Sequence, residues 1–159
     1  MIYTDLNTEI DVGSSGHLIE FGPFRALVDC GLHPKQMGLP ALPNLSKVAP
    51  ETLDFIAITH THLDHCGALP VVARNQHSAH ILIADDSYEL LFRMLRNSRT
   101  VMAKQREEFG IKEYPLFDYS AIDELRSRTT SMPYMHTRRY DIGGENVDIS
   151  FYPAGHIPG

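Results

Sequence analysis

The sequence has no tryptophan and only two cysteines, Cys30 and Cys66. Two cysteines do not make the disulfide framework of a small secreted domain, and they fit a reducing cytosol in which both thiols stay free. No stretch combines basic residues with an apolar run of signal-peptide length, and no apolar run is long enough to span a membrane. We therefore predict a cytoplasmic protein without a membrane segment.

Positive charge is also scarce, since 14 Lys and Arg face 20 Asp and Glu for a formal net charge of −6. A negative balance weighs against a polyanionic partner such as RNA. This argument against an RNA partner is weak, because bound metal ions add positive charge and a basic surface elsewhere in a longer chain could contact the phosphates. The basic residues that do cluster are predicted to lie mostly on a solvated helix face: they are Arg93, Arg96, Arg99, Lys104 and Arg106, with Arg138 and Arg139 further on.

The pattern of apolar residues predicts an α/β fold within one domain length. The predicted strands cover residues 1–6, 17–21, 24–29, 53–59 and 80–84, followed by a hairpin of 132–142 with 147–152. The predicted helices cover residues 68–74, a long segment capped by Asp86 or Ser87 and ending near 109, and 120–128 with Ser120 and Asp123 at capping-box separation. Residues 32–50 contain four prolines and are predicted to form a loop, with Met37 and Leu39 in the wall of a cleft.

The highest density of candidate metal ligands lies at residues 58–67, which read ITHTHLDHCG and directly follow an apolar run. His60 and His62 are two apart, so an extended backbone sends both imidazoles to one side, and Asp64 and His65 follow. These side chains suit Zn²⁺, with Mn²⁺ or Fe²⁺ as alternatives. If the ligands are divided evenly between two sites, they suit a pair of metal ions that generate hydroxide from water. Individually, His60 could be a hydrogen-bonded loop residue and Asp64 a helix N-cap, but the order H-x-H-x-D-H favours a metal site.

Three other residues of types that can bind metal are predicted not to do so. Cys66 lies outside the ligand pattern and is expected to be a small buried residue. His77 and His80 belong to a turn and a strand start, without the compact spacing of the motif.

The segment THTHLDHCG resembles the second motif of the metallo-β-lactamase superfamily, H-x-H-x-D-H followed by Gly. VDCG at residues 28–31 is similar to the acidic residue that ends an early strand in that family, and AGHIPG at 154–159 is similar to its third histidine motif. The flanking segments CGALP, VDCG and PAGHIPG most resemble the β-CASP branch of RNA-processing nucleases. The match covers nearly the whole chain in order, although only these three motifs are specific.

The resemblance implies the site and its cofactors. His60, His62 and His156 would surround one ion, and Asp64 with His65 would hold the second. Asp29 would hold the metal ligands in place without binding an ion itself. The alternative is that Asp29 only closes the turn before Gly31. Asp64 is also implied as the catalytic residue that aligns the hydroxide for attack on phosphorus.

The resemblance further implies that residues 1–159 are the N-terminal part of an αββα sandwich. The family's later bridging aspartate, its later histidine and the β-CASP insertion have no counterpart here. We therefore expect two Zn²⁺ in the complete enzyme but one or none in this segment. A half sandwich is also expected to leave one sheet face and an edge uncovered, so that the segment is marginal alone, forms a homo-oligomer or belongs to a longer chain.

The predicted function is metal-dependent hydrolysis of RNA phosphodiester bonds by a larger RNA-processing nuclease, with this segment inactive alone. RNA would bind through the complete parent chain. Two alternatives stay open. Thioesterases and β-lactamase-like hydrolases share the first two motifs, and fold alone does not choose among them. A scaffold without catalytic activity in an RNA-processing complex is the second alternative.

Overall fold

A computed structural model describes residues 1–7 and 13–158 of the chain. Six strands form one sheet whose spatial order follows the sequence, and two further strands form a separate hairpin. The strands are β1 (Ile2–Asp5), β2 (His17–Phe21), β3 (Phe24–Val28), β4 (Phe55–Ile58), β5 (His80–Ala84), β6 (Thr129–Met132), β7 (Thr137–Ile142) and β8 (Glu145–Ser150). The α-helices are α1 (Leu63–Cys66), α2 (Leu69–Ala73), α3 (Asp85–Phe109) and α4 (Tyr119–Arg128).

The sheet changes from antiparallel to parallel at β3. Strands β1, β2 and β3 pair antiparallel, whereas β3, β4, β5 and β6 pair in parallel. The three parallel pairs need three crossover connections. Residues 29–54 connect β3 to β4, α1 with α2 connects β4 to β5, and α3 with α4 connects β5 to β6. Because the strands follow one another in one direction and such crossovers share a hand, both helical connections lie on the same face. Their apolar sides pack with that face of the sheet into the larger core, which includes Leu27, Ile56, Ile81, Leu91, Leu95 and Ile122.

The β7–β8 hairpin packs on the opposite face of the sheet. Tyr140, Val147 and Ile149 alternate with polar residues and join a second apolar cluster with Phe55 and Leu82 of the sheet. On the other side of the hairpin, Arg139 forms a two-pronged ion pair with Asp148, at 2.7 Å for each contact. The sheet face that was expected to be uncovered is therefore covered in part, because the alternation in β7 and β8 supplies an apolar surface that packs on it.

The predicted α/β order of elements is confirmed, with corrections at several ends. Helix α3 has Ala84 at its N-cap position, without a capping side chain, so neither Asp86 nor Ser87 is its cap. The N-cap of α4 is Asp118, whose carboxylate accepts the Ala121 N–H at 2.8 Å, so the predicted capping box at Ser120 was also wrong.

Two further segments differ from the prediction. Residues 129–132 pair with β5 as the sixth strand of the sheet, so the hairpin starts only at Thr137. The proline-rich segment 32–50 contains two short 3-10 turns, Leu39–Ala41 and Leu45–Lys47. Within the described residues, no helix combines the length and the apolar character that crossing a membrane requires.

Candidate metal centre

The candidate site lies where β3 and β4 end. Asp29 directly follows β3, and the histidine-rich segment 59–65 directly follows β4. These strands are parallel neighbours, so their carboxyl ends meet at one edge of the sheet, the usual position of sites in such sheets. Backbone hydrogen bonds join the two turns, from the Cys30 N–H to the His65 carbonyl and from the Leu32 N–H to the Leu63 carbonyl, both at 2.8 Å.

Gly31 makes this contact between the two turns possible. A Cβ atom at this position would lie 1.6 Å from the Asp64 carbonyl oxygen, so only glycine allows the backbones to approach so closely. The Gly31 N–H donates to the Ser15 carbonyl, and the Ser15 N–H donates to the same Asp64 carbonyl, both at 2.8 Å. The backbone of the motif is thus held from two sides.

Three imidazoles converge at the solvent-facing side of the motif. One ring nitrogen from each of His60, His62 and His156 lies within 4.8 Å of the others. His60 Nε2 is 3.1 Å from His62 Nδ1, and His156 Nε2 is 3.4 Å from the same atom. Three imidazole nitrogens this close together fit a divalent transition-metal ion, and zinc is the ion that such a set most often holds.

The electrostatics of His60 favour the form that binds metal. Partial burial lowers the pKa of His60 below its usual value, and the neighbouring His65 and His62 lower it further. A lowered pKa leaves the imidazole neutral with a free lone pair, which is the form that a metal ion requires.

Asp29 fixes the position of His65. Its carboxylate is only 2% exposed and accepts hydrogen bonds from the Thr59 N–H and the Thr59 hydroxyl, each at 2.8 Å. It also lies 2.8 Å from His65 Nδ1, and this hydrogen bond is the main cause that raises the pKa of His65. With Nδ1 bound to Asp29, the Nε2 atom of His65 is the one that faces the site. Asp29 therefore does more than close a turn.

Asp64 and His65 adjoin the three histidines without belonging to their group. The His65 ring lies 4.1 Å from the His60 ring between centroids, and His65 Nε2 is 3.7 Å from Asp64 Oδ2. Asp64 lies inside α1, whose N-cap position is His62, so the alternative interpretation of Asp64 as an N-cap is wrong. The structure thus places a carboxylate and a fourth imidazole next to the trio, as a second ion would require.

The segment that carries His156 is held at two points. The Met135 N–H donates to the Phe151 carbonyl at 2.8 Å just after β8, and the Ser87 hydroxyl donates to the Pro158 carbonyl. Ser87 is fully buried in the first turn of α3. Sequence reasoning treated Ser87 only as a helix cap, because no local pattern links it to a residue 71 positions away.

The residues predicted not to bind metal make other contacts. Cys66 is buried in the core, where burial raises its pKa, and its thiol donates to the Thr61 carbonyl at 3.4 Å. His77 Nδ1 lies 2.6 Å from a carboxylate oxygen of Glu51, and His80 stacks on Phe55.

Of the two loop residues predicted to form a wall, Met37 lines a cavity that also reaches Asp64. Leu39 is exposed and is not among the residues that line this cavity. Thr59 was missed as a functional residue, because its partner Asp29 lies 30 positions earlier and no spacing rule connects them.

Replacement of Gly31 by alanine should destabilise the protein by roughly 3 kcal/mol or more, because the new Cβ atom cannot be accommodated without moving the metal-motif backbone. Gly22→Ala is the control: Gly22 has a positive φ of 55°, but a Cβ there would meet no atom within 4 Å. Its expected cost is about 1 kcal/mol. Denaturant unfolding measures both, and equal costs would contradict this account of Gly31.

Replacement of Asp29 by asparagine should lower the pKa of His65, because the neutral amide no longer stabilises the imidazolium. Titration of the imidazole Cε1–H resonances by NMR in the metal-free protein measures this shift. The exposed His136 provides the reference within the same spectrum. An unchanged His65 titration curve in the folded variant would show that Asp29 does not control this imidazole.

The chain is similar to a known protein family and to several known proteins. The family model described as the metallo-beta-lactamase superfamily matches residues 11–149. The Arabidopsis thaliana cleavage and polyadenylation specificity factor subunit 3-I is 26% identical over 159 residues, which is 100% of this chain and 22% of that protein. Endoribonuclease YSH1 of Kluyveromyces lactis is 30% identical over 94% of this chain and 19% of its own length. Cleavage and polyadenylation specificity factor 73 of Drosophila melanogaster is 43% identical over 60 residues, or 38% of this chain and 9% of its own.

The chain thus spans about a fifth or less of these relatives, between 9% and 22% of their lengths. Among solved structures, a mutant metallo-beta-lactamase from Cronobacter sakazakii matches with a TM-score of 0.54 and 18% identity, over 99% of this chain and 52% of that one. At this identity the likeness shows the fold alone. The family match extends over most of the chain, and the chain belongs to the metallo-beta-lactamase superfamily.

Proposed function

We propose that this chain carries the metal centre of a hydrolase that cuts phosphodiester bonds in RNA. The observation that carries the proposal is the convergence of His60, His62 and His156, whose ring nitrogens lie within 4.8 Å of one another. The choice of RNA is supported by relatives named as endoribonucleases, such as those of Kluyveromyces lactis and Neurospora crassa. The metallo-beta-lactamase structural match supports the fold and does not bear on the substrate.

The three histidines are proposed to hold one Zn²⁺, and Asp64 with His65 would contribute to a second, with Mn²⁺ as the alternative ion. Bound there, the ions would supply Lewis-acid stabilisation of the phosphate and a nucleophile from water at neutral pH. Asp64 is proposed as the catalytic residue that accepts a proton and aligns the attacking oxygen. Asp29 positions His65, and the exposed side of His62 and His156 leaves the site accessible to a phosphate of the substrate.

The parent enzyme is proposed to be a longer RNA-processing nuclease of the β-CASP type, in which residues 1–159 form the N-terminal part of the catalytic domain. The short fraction of each relative that this chain matches supports this view. Two free, buried cysteines are consistent with a reducing compartment, and we place the enzyme in the cytoplasm.

The zinc content of the purified chain tests the metal site. We expect one zinc ion per chain, and His156→Ala should lower the zinc affinity at least roughly a hundredfold, since it removes one of three nitrogen ligands. His77→Ala removes an exposed histidine outside the cluster and should leave the affinity unchanged. Competition with a chromophoric chelator measures all three affinities. Equal affinities in the wild type and His156→Ala would contradict the proposed site.

RNA cleavage by the full reading frame that contains this chain tests the reaction. Asp64→Asn should lower kcat/KM by roughly a hundredfold or more, a typical loss for a group that acts on the reacting atoms. Glu107→Gln, which removes a carboxylate from the exposed end of α3, should retain the wild-type value. We expect the isolated 159 residues to show no turnover.

Other outcomes of this assay distinguish the alternatives. Hydrolysis of thioesters or β-lactams without RNA cleavage would replace RNA as the substrate. A full-length protein that binds no metal would favour a scaffold over an enzyme.

A further inference from the structure

A cavity of about 350 Å³ lies beside the metal centre, on the side of the helices. Its walls come from the segment after β3, from α1 and from the middle of α3, and Asp64 is one of its lining residues. The carboxylate of Asp64 also lies 3.7 Å from His65 Nε2 at the candidate metal centre. Because one residue belongs to both sites, a molecule in the cavity would lie close to a substrate held at the metal centre.

The α3 wall of this cavity combines amide and apolar groups. Asn97, Val101 and Gln105 follow at four-residue intervals and therefore lie on one face of the helix. Within residues 1–7 and 13–158, the side-chain amides of Asn97 and Gln105 make no hydrogen bond, so their donors and acceptors can bind a ligand. Two amides separated by eight residues are about 12 Å apart along the helix, so both can contact one ligand of nucleotide size.

Apolar groups flank these amides. Met37 and Val101 line the cavity while remaining 45% and 42% exposed, which places them at its mouth. Met102 is buried and lines the interior. The cavity volume is in the range of small-molecule sites.

The charge of the walls narrows the ligand class. No lysine or arginine is among the described residues that line the cavity, and Asp64 adds a negative charge. The described walls therefore offer no lysine or arginine to pair with a phosphate or carboxylate group. The walls instead suit a neutral, flat group with several hydrogen-bond donors and acceptors, and Asn and Gln amides are the usual partners of nucleobase edges.

We propose that this cavity binds a nucleobase of the RNA strand whose neighbouring phosphate lies at the metal centre. The amide of Asn97 or Gln105 binds the edge of the base, Met37 and Met102 pack against its faces, and Val101 borders the opening. This role rests on the proposed function. It makes the cavity a determinant of which nucleotide precedes or follows the cleaved bond.

Methionine methyl NMR of the zinc-loaded chain tests the proposal, because Met37 and Met102 line the cavity and Met132 lies in the second apolar cluster on the other face of the sheet. The probes are the four nucleoside 5′-monophosphates and ribose 5-phosphate, which carries the same phosphate without a base. We expect saturable shifts of the Met37 and Met102 methyls with at least one nucleotide, no such shifts with ribose 5-phosphate, and an unchanged Met132 methyl.

A pair of matched variants locates the binding. Val101→Trp fills the mouth of the cavity from an exposed position and should weaken nucleotide binding by roughly tenfold or more. Leu90→Trp places the same side chain at an exposed α3 position, 39% exposed and outside the cavity, and should bind as the wild type does. Absence of shifts with all four nucleotides, equal shifts with ribose 5-phosphate, or full binding by Val101→Trp would each overturn the proposal.

The test of the nucleobase cavity and the test of RNA cleavage can fail independently. Metal-dependent RNA cleavage without base-dependent methyl shifts would overturn the base site and leave the hydrolase standing. Base-dependent shifts without metal-dependent RNA cleavage by the full-length protein would overturn the hydrolase and leave a nucleobase site whose role is not catalysis.

Discussion

The close contact between the turn after β3 and the turn after β4 organises the candidate site. Gly31 lies against the Asp64 carbonyl, at a distance that no side chain tolerates. This approach lets the Cys30 and Leu32 N–H groups donate to the backbone of residues 63–65. The helix that carries Asp64 and His65 is a single turn, too short to be stable by itself, so its position depends on these external hydrogen bonds.

Asp29 connects this backbone contact to the chemistry of the site. It adopts a positive φ of 61°, a strained conformation for a residue with a side chain, and it is buried between Thr59 and His65. Such strain costs of order 1–3 kcal/mol and persists only where the surroundings impose it. In return, the carboxylate satisfies the first backbone N–H after β4 and orients one imidazole, while burial and like-charged neighbours keep His60 neutral. The buried carboxylate thus orients His65, whereas the lowered pKa of His60 comes from burial and the neighbouring imidazoles and is opposed by the charge of Asp29.

Local sequence patterns predicted much of this molecule, and apart from the two helix caps the misses share one cause. Short apolar runs identified β4 and β5, the Gly110 stop identified the end of α3, and the HTHLDH order identified the cluster that follows β4. Periodicity and spacing report only on neighbours in the chain. They could not reveal that Gly31 contacts Asp64, that Ser87 donates a hydrogen bond to Pro158, or that the apolar side of β7–β8 covers part of the second sheet face. Each of these depends on segments that meet only in the folded state.

The central claim is that imidazoles from two distant parts of the chain share one cation. Anomalous diffraction at the zinc absorption edge, from crystals of the chain grown with zinc, tests this claim most directly. The account predicts an anomalous peak within bonding distance, about 2.0–2.1 Å, of nitrogen atoms from His60, His62 and His156. A zinc peak bound by His60 and His62 while His156 lies elsewhere, or no peak at this cluster, would contradict it.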